Sequence, residues 1–131
     1  MIFLLDTNTA IYYFKGMGNV AARLLAEPPS QIGLSSIVEY ELRLGIEKSS
    51  SPEKRRSQLN ALKEAVTYVP FASSEAAQAG RIRAELERKG TPIGPYDVLI
   101  AASALSRGAT LVTHNIKEFA RVDGLRLVDW F

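Results

Sequence analysis

Three carboxylates in this chain stand where a hydrophobic segment meets a turn or a helix start. They are Asp6, Glu41 and Asp97, and Asp6 directly follows the apolar run 2–5. An acid in apolar surroundings is costly unless something pairs with it, and acids that a fold brings together repel one another. A divalent cation is the usual counter-charge for such a group, so these positions predict a metal site.

The residue types that are missing narrow the chemistry of that site. The chain has no cysteine and one histidine, His114, so a thiol nucleophile, a disulfide framework and a zinc–thiolate site are excluded. No serine or second histidine stands at a spacing that suggests a triad with His114. Oxygen ligands favour Mg²⁺ or Mn²⁺ over Zn²⁺. We therefore expect metal-dependent cleavage of a phosphodiester.

Two of the three acids, Asp6 and Asp97, also have an ordinary structural explanation. Asp6 is a good N-cap for the helix expected after it, but Thr7 and Asn8 are equally good caps, so capping does not require Asp6. Asp97 lies in the first turn of a predicted helix, where the helix dipole stabilises a carboxylate by about 0.3–1 kcal/mol. The same field keeps Asp97 ionised and available to a cation.

Two glutamates compete for the middle position of this set. The segment Ser36-Ile37-Val38-Glu39 matches a capping box, which explains Glu39 without any chemistry. Glu41 lies beside the expected apolar stripe of Val38, Leu42 and Ile46 and has no such explanation. We therefore assign Glu41 to the site.

The bulk composition is that of an ordinary globular protein. The 131 residues are 47% hydrophobic and 23% charged, which predicts one domain over residues 1–131. The N-terminus has no basic leader, and no apolar run approaches the roughly 18 residues of a membrane span, so we expect a cytoplasmic protein without membrane contact. The net charge of +2 is weak evidence for a nucleic-acid partner.

Basic residues form two groups along the chain, one within 48–63 and one within 81–89. The groups are solvated helix faces or phosphate-binding rims around the acidic centre, and the sequence leaves both interpretations open.

Hydrophobic periodicity predicts alternating strands and helices. Strands are expected at 2–5, 32–34, 68–71, 110–113 and 125–128. Helices are expected at 8–14, 20–26, from 36 to a polar break at 49–52, from that break to about 66, and at 74–89, 96–107 and 116–121. The alternation predicts an α/β sandwich with a central, mainly parallel sheet. Ligands bind beyond the carboxyl ends of the strands in such sheets, where Asp6 and the 114–118 segment would lie.

Four segments in register resemble the motifs of PIN-domain ribonucleases, and the order and spacing match along essentially the whole chain. The segments are Leu5-Asp6-Thr7-Asn8, Tyr40-Glu41-Leu42 with Gly45, Gly94-Pro95-Tyr96-Asp97, and Val112-Thr113-His114-Asn115-Ile116-Lys117-Glu118-Phe119. The stretch 82–94 and the ending Asp129-Trp130 are similar to the VapC toxins within that family.

The resemblance implies that Asp6, Glu41 and Asp97 hold Mg²⁺ or Mn²⁺ in a PIN-like α/β/α sandwich. Many relatives carry Asp where this chain has Asn115, and the nearest acid in the motif is Glu118. We therefore give Glu118 a catalytic role. Thr7, Asn8, Thr113 and Asn115 are expected to support the carboxylates, with Asn115 as a neutral ligand or a neighbour of the ligands.

The resemblance also implies partners. VapC toxins pair with a VapB antitoxin whose C-terminal segment occupies the toxin's groove, form homodimers and cleave RNA, in the nearest subgroup tRNA at the anticodon loop. Residues 36–66 would provide the docking surface. The alternatives are a housekeeping RNA-processing PIN nuclease, a metal-binding signalling domain of receiver type and a non-catalytic binding module. A signalling domain of receiver type would need a phosphoacceptor Asp near the middle of the chain, and this sequence has none there.

Overall fold

The strands lie in one parallel sheet at the centre of a computed structural model that describes residues 1–131. They are β1 (Phe3–Leu5), β2 (Ile32–Ser35), β3 (Thr67–Val69), β4 (Thr110–Val112) and β5 (Leu127–Val128), in the order β3-β2-β1-β4-β5. The predicted α/β architecture is confirmed, and the sheet is parallel throughout. Four strands are one or two residues shorter than predicted, and β2 is one residue longer.

Seven helices connect and flank the strands. They are α1 (Thr7–Lys15), α2 (Val20–Leu25), α3 (Ser36–Glu47), α4 (Pro52–Ala65), α5 (Ser73–Arg88), α6 (Pro95–Ser106) and α7 (Ile116–Phe119). The predicted helices are all present, and α7 ends two residues earlier than expected. No helix is both long enough and apolar enough to cross a membrane.

The sheet is short but deeply buried. Leu4, Leu5, Leu34, Leu111 and Val112 are fully inaccessible to solvent, as expected for strands covered by helices on both faces. The stripe of α3 faces the same core, because Val38, Leu42 and Ile46 are all buried. That part of the sequence prediction is confirmed.

Asp6 is the residue that starts α1. It has extended backbone angles, and its Oδ1 accepts a hydrogen bond from the Thr9 backbone N–H at 2.8 Å. Of the three cap candidates that the sequence left open, Asp6 is therefore the N-cap, and Thr7 and Asn8 lie inside the first turn. The same helix ends at Gly16, whose φ of 66° is in the left-handed region.

The start of α3 corrects a second expectation. Ser35 is the N-cap, since its hydroxyl accepts from the Val38 backbone N–H at 3.1 Å. The Ser36 hydroxyl instead accepts from the Phe71 backbone N–H at 3.0 Å, which ties α3 to the segment after β3. The predicted capping box at Ser36 and Glu39 is therefore wrong, because Glu39 lies one position too far along the helix.

Glu39 has a different structural task. Its carboxylate accepts from Arg43 one turn on, from Lys63 of α4 at 2.9 Å and from the Tyr68 hydroxyl of β3 at 2.7 Å. Burial acts to raise the pKa of Glu39, but the hydrogen bonds from Lys63, Tyr68 and Arg43 outweigh it and lower the pKa to about 2. Glu39 therefore joins three elements as a permanent anion.

The loop before α6 is fixed at both of its ends. Helix α5 closes with Gly90 in the left-handed region, where the Thr91 backbone N–H bonds the Leu86 carbonyl at 2.9 Å. Gly94 is the N-cap of α6 and Pro95 is its first residue, one position earlier than predicted. This geometry sets the direction in which Asp97 leaves the first turn of α6.

Candidate active site

The predicted acids approach one another at the carboxyl edge of the sheet. Asp6 follows β1, α3 with Glu41 follows β2, and the segment with Glu118 follows β4. These three strands are neighbours in the sheet, so their carboxyl ends open onto one space. Asp97 reaches that space from the start of α6.

The charges of the other three acids act on the carboxyl group of Asp97. Burial, followed in order of importance by the charges of Glu118, Glu41 and Asp6, raises the pKa of Asp97 to about 6. Every charged neighbour that acts on this carboxyl is therefore another carboxylate. The structure brings all four predicted acids into one electrostatic environment.

Asp6 is the most buried member, with 5% of its surface exposed. Burial raises the pKa of Asp6, and hydrogen bonds with Thr113 and Thr9 offset part of this effect. The charge of Asp129 adds a small further rise. Thr113 thus supports the Asp6 carboxylate, as was expected from the sequence. The proximity of Asp129 to Asp6 was not predicted, because only the Asp-Trp ending pointed to this residue.

Glu41 is held by a residue from the neighbouring helix. The Thr7 hydroxyl donates to Glu41 Oε1 at 2.6 Å, which connects the first turn of α1 to α3. This is the orienting contact expected of Thr7. Asn8 is exposed, and its side chain makes no hydrogen bond within the chain, so the structure gives Asn8 no contact with the acids.

Glu118 faces the site and not the solvated side of α7. Its Oε1 accepts from the Gly94 backbone N–H at 3.2 Å, and its Oε2 accepts from the Asn115 amide at 2.6 Å. The Asn115 backbone N–H in turn bonds the Thr113 hydroxyl at 2.9 Å. Asn115 therefore positions Glu118, which is the neighbouring role that the sequence allowed for it.

Gly94 is a close neighbour that the sequence reasoning treated as loop. A Cβ atom at this position would lie 3.2 Å from Asp97 Oδ2. A side chain there would press on the Asp97 carboxylate, while the Gly94 N–H holds Glu118. The glycine therefore lets two acids sit close to one turn of backbone.

The donor set fits a hard divalent cation. No ion pair joins any of the four acids to a lysine, arginine or histidine. No three acidic or histidine side chains are close enough together to enclose a cation by themselves. Mg²⁺ keeps several of its waters and is bound through one or two carboxylates, so an open ring of oxygen donors suits it better than a closed cage.

His114 is occupied at the C-terminus. Its Nδ1 lies 2.8 Å from Asp129 Oδ2, and its ring stacks on Phe131 with centroids 4.4 Å apart. Burial acts to raise the pKa of Asp129, but the Phe131 backbone N–H and His114 outweigh it and lower that pKa. The sequence offered no triad partner for His114, and in the structure its ring is engaged by Asp129 and Phe131.

Within the two basic groups, four of the nine residues pair with acids close to them in the chain or in space, and Lys63 pairs with Glu39. The ion pairs are Arg56–Glu53, Arg81–Glu85, Arg83–Glu87 and Lys89 with Glu85 and Asp123. These contacts favour the interpretation of solvated helix faces. Two other cations, Lys15 and Arg55, line a cleft of about 390 Å³ together with Glu41. Lys15 was not predicted as a residue near the site, because no other basic residue is close to it in the sequence.

Comparison with known proteins agrees with this arrangement. The PIN domain family matches residues 3–125. The chain is 41% identical to the tRNA(fMet)-specific endonuclease VapC of Salmonella typhimurium, over 98% of this chain and 97% of that protein. It is 38% identical to the ribonuclease VapC2 of Rickettsia felis, over 99% and 98% of the two chains.

Solved structures give the same result in three dimensions. A DNA-bound VapBC structure from Salmonella typhimurium matches with a TM-score of 0.93 at 40% identity, covering 100% of this chain and 99% of that chain. VapBC2 from Rickettsia felis, bound to a DNA fragment of its promoter, matches with a TM-score of 0.89 at 39% identity over 100% of both chains.

The fold and the family match define a PIN-domain nuclease. More narrowly, the chain belongs to the VapC ribonucleases within that family, and its activity is hydrolysis of RNA.

Proposed function

We propose that this chain is the toxin of a VapBC pair, an endoribonuclease that depends on Mg²⁺ or Mn²⁺, which Asp6 and Asp97 would hold directly and Glu41 through a bound water. The observation that carries the proposal is the electrostatic environment of Asp97, whose charged neighbours are Glu118, Glu41 and Asp6. Acids gathered without a basic partner are stabilised by a cation, and the cation then binds the phosphodiester.

Each side chain has a task in this proposal. When bound, the cation would polarise a phosphoryl oxygen and lower the pKa of a coordinated water. Asp6 and Asp97 would hold the cation directly. Glu41, held by the Thr7 hydroxyl, orients the attacking water or accepts its proton, and Glu118 adds negative charge beside Asp97. The water oxygen forms the new bond to phosphorus, the bond from phosphorus to the leaving ribose oxygen breaks, and that oxygen takes up a proton from solvent.

We propose tRNA, cut in the anticodon loop, as the substrate. The support is the 41% identity to an enzyme named as specific for tRNA(fMet). A loop suits a protein that reads bases, because unstacked bases are accessible there and those inside an RNA helix are not. Residues 1–131 would act as one domain, and the protein would form a homodimer.

A metal-replacement assay tests the proposed cofactor. Purified protein is treated with EDTA, and cleavage of tRNA is measured after addition of Mg²⁺, Mn²⁺ or Zn²⁺. We expect no cleavage in EDTA, recovery with Mg²⁺ or Mn²⁺ and poor recovery with Zn²⁺, because the ligands are hard oxygens. Full activity in EDTA would refute the proposed metal dependence.

The proposed partner is a VapB-like antitoxin. Its support is that matching solved structures contain VapBC pairs and that apolar clefts lie between α1, α3 and α4 and between α1, α2 and α4. Leu25 lines the second cleft and is 70% exposed. Leu25→Glu should raise the antitoxin concentration that halves cleavage by about tenfold or more, since it places a charge on an apolar contact. Unchanged inhibition would exclude this cleft.

A further inference from the structure

Two exposed tyrosines flank the acids in a manner that the fold alone does not explain. Tyr40 precedes Glu41 on α3, and Tyr96 precedes Asp97 on α6. Their exposed fractions are 48% and 44%, although large aromatic side chains are usually withdrawn from water. Their ring centroids are 5.5 Å apart with a tilt of 49°, and their hydroxyl oxygens are 3.4 Å apart.

We propose that Tyr40 and Tyr96 form a platform on which a base next to the scissile phosphate of the RNA stacks. The inference rests on the proposed function, since it positions the substrate for that same reaction. Each tyrosine is the chain neighbour of an acid of the site, and the two helices that carry those acids bring the rings into contact. In this proposal, a nucleotide stacked on the pair directs its phosphate toward the carboxylates.

Charge balance explains why the site needs such a platform. Four carboxylates repel an RNA backbone, and five of the nine arginines and lysines of the two basic groups are paired with acids. Those five attract phosphate less strongly than unpaired cations would. Stacking on aromatic rings does not depend on charge and contributes about 1–3 kcal/mol per base.

The pair is also held in place. Both rings sit on helices whose starts are fixed, at Ser35 for α3 and at Gly94 and Pro95 for α6. A rigid aromatic surface loses little conformational entropy when a base binds.

Steady-state cleavage of a single-stranded RNA containing the mapped cleavage site tests the platform. Tyr96→Leu and Tyr40→Leu should each raise KM about 5- to 150-fold with kcat nearly unchanged, the factor that corresponds to one stacked base. Tyr96→Phe and Tyr40→Phe should keep the wild-type KM, because the ring remains. Tyr68→Leu is the matched control: Tyr68 is 39% exposed and bonded to Glu39 away from the acids, so its KM should not change.

A binding measurement without metal gives a readout that is independent of catalysis. An RNA carrying 2-aminopurine beside the cleavage position is titrated with protein in EDTA. Stacking quenches 2-aminopurine, so the wild type and the Phe variants should quench it and the Leu variants should not. Wild-type quenching and KM in the Leu variants would overturn the inference.

Two outcomes separate this inference from its neighbours. If wild-type protein does not cleave RNA with Mg²⁺, the proposed function fails. A second outcome is that the wild type cleaves RNA, and Tyr96→Leu both raises KM and lowers the sedimentation coefficient to that of a monomer. In that case the pair is a contact between two copies of the chain, and the platform is refuted. An unchanged sedimentation coefficient with a raised KM supports the platform.

Discussion

At the scale of residues, the central feature is a carboxylate surrounded by other carboxylates. Asp97 is half-buried, and burial followed by the charges of Glu118, Glu41 and Asp6 raises its pKa to about 6. Repulsion among these carboxylates lowers the free energy of unfolding when no cation is bound. A bound cation removes the repulsion, and this strengthens its binding. This makes the site's own electrostatics measurable without any substrate.

Asp97→Asn should stabilise the metal-free protein at pH 7. The folded pKa lies above the ordinary 3.8, so the folded state binds more protons, and the destabilisation is present at pH 7 and lost as pH falls from 6 to 4. After discounting for solvent screening, the gain is on the order of 1 kcal/mol. Urea unfolding in EDTA at pH 7 and pH 4 measures it. Equal gains at both pH values would contradict the repulsion.

Glu118→Gln tests the acid whose role was least certain from sequence. Glutamine can still accept from the Gly94 N–H and preserve the loop, but it lacks the charge beside Asp97. Cleavage should fall on the order of 10²-fold with little change in melting temperature. The assay is run across Mg²⁺ concentrations, and a curve identical to the wild type would leave Asp6, Glu41 and Asp97 as the only catalytic acids.

At the scale of elements, helix starts determine where the acids point. Asp6 is both the N-cap of α1 and a member of the site, and the caps of α3 and α6 orient Glu41 and Asp97. The sequence predicted the helices, but the cap of α1 stayed open and the cap of α3 was misplaced by one residue. The reason is that Asp6, Thr7 and Asn8, like Ser35 and Ser36, are chemically equivalent candidates. Only the backbone path from the preceding strand decides between such neighbours.

Glu39→Gln should destabilise the protein without reducing its activity. The variant breaks the ion pair with Arg43 on the same helix and the ion pair with Lys63 that joins α3 to α4, at a cost of about 1–3 kcal/mol. Since the folded pKa is about 2, below the ordinary 4.5, the contribution is present above pH 4.5 and is lost as pH falls toward 2.

Thermal unfolding between pH 2 and pH 7 checks the role of Glu39. Glu53→Gln is the matched control, because the Arg56–Glu53 pair is on the surface and contributes no more than about 1 kcal/mol. A Glu39 variant with the stability of the Glu53 variant would show that the buried network is not a structural link.

At the scale of the whole molecule, parallel strand order explains why distant segments form one site. Residues 6, 41, 97 and 118 meet because β2, β1 and β4 are neighbours and their carboxyl ends share one edge. The alternation of strands and helices made this edge predictable. The platform of Tyr40 and Tyr96, the position of Lys15 beside Glu41 and the approach of Asp129 to Asp6 were not, because they depend on the packing of segments far apart in sequence.

The central claim is that Asp6 serves the chemistry and not only the fold of α1, and one variant separates these roles. Asparagine caps a helix as well as aspartate, so Asp6→Asn should keep the melting temperature of the metal-free protein. We expect the rate of RNA cleavage in Mg²⁺ to fall on the order of 10²-fold or more, whereas Glu64→Gln on α4, outside the site, should cleave at the wild-type rate. Wild-type cleavage by Asp6→Asn would contradict the assignment of this acidic cluster as the catalytic centre.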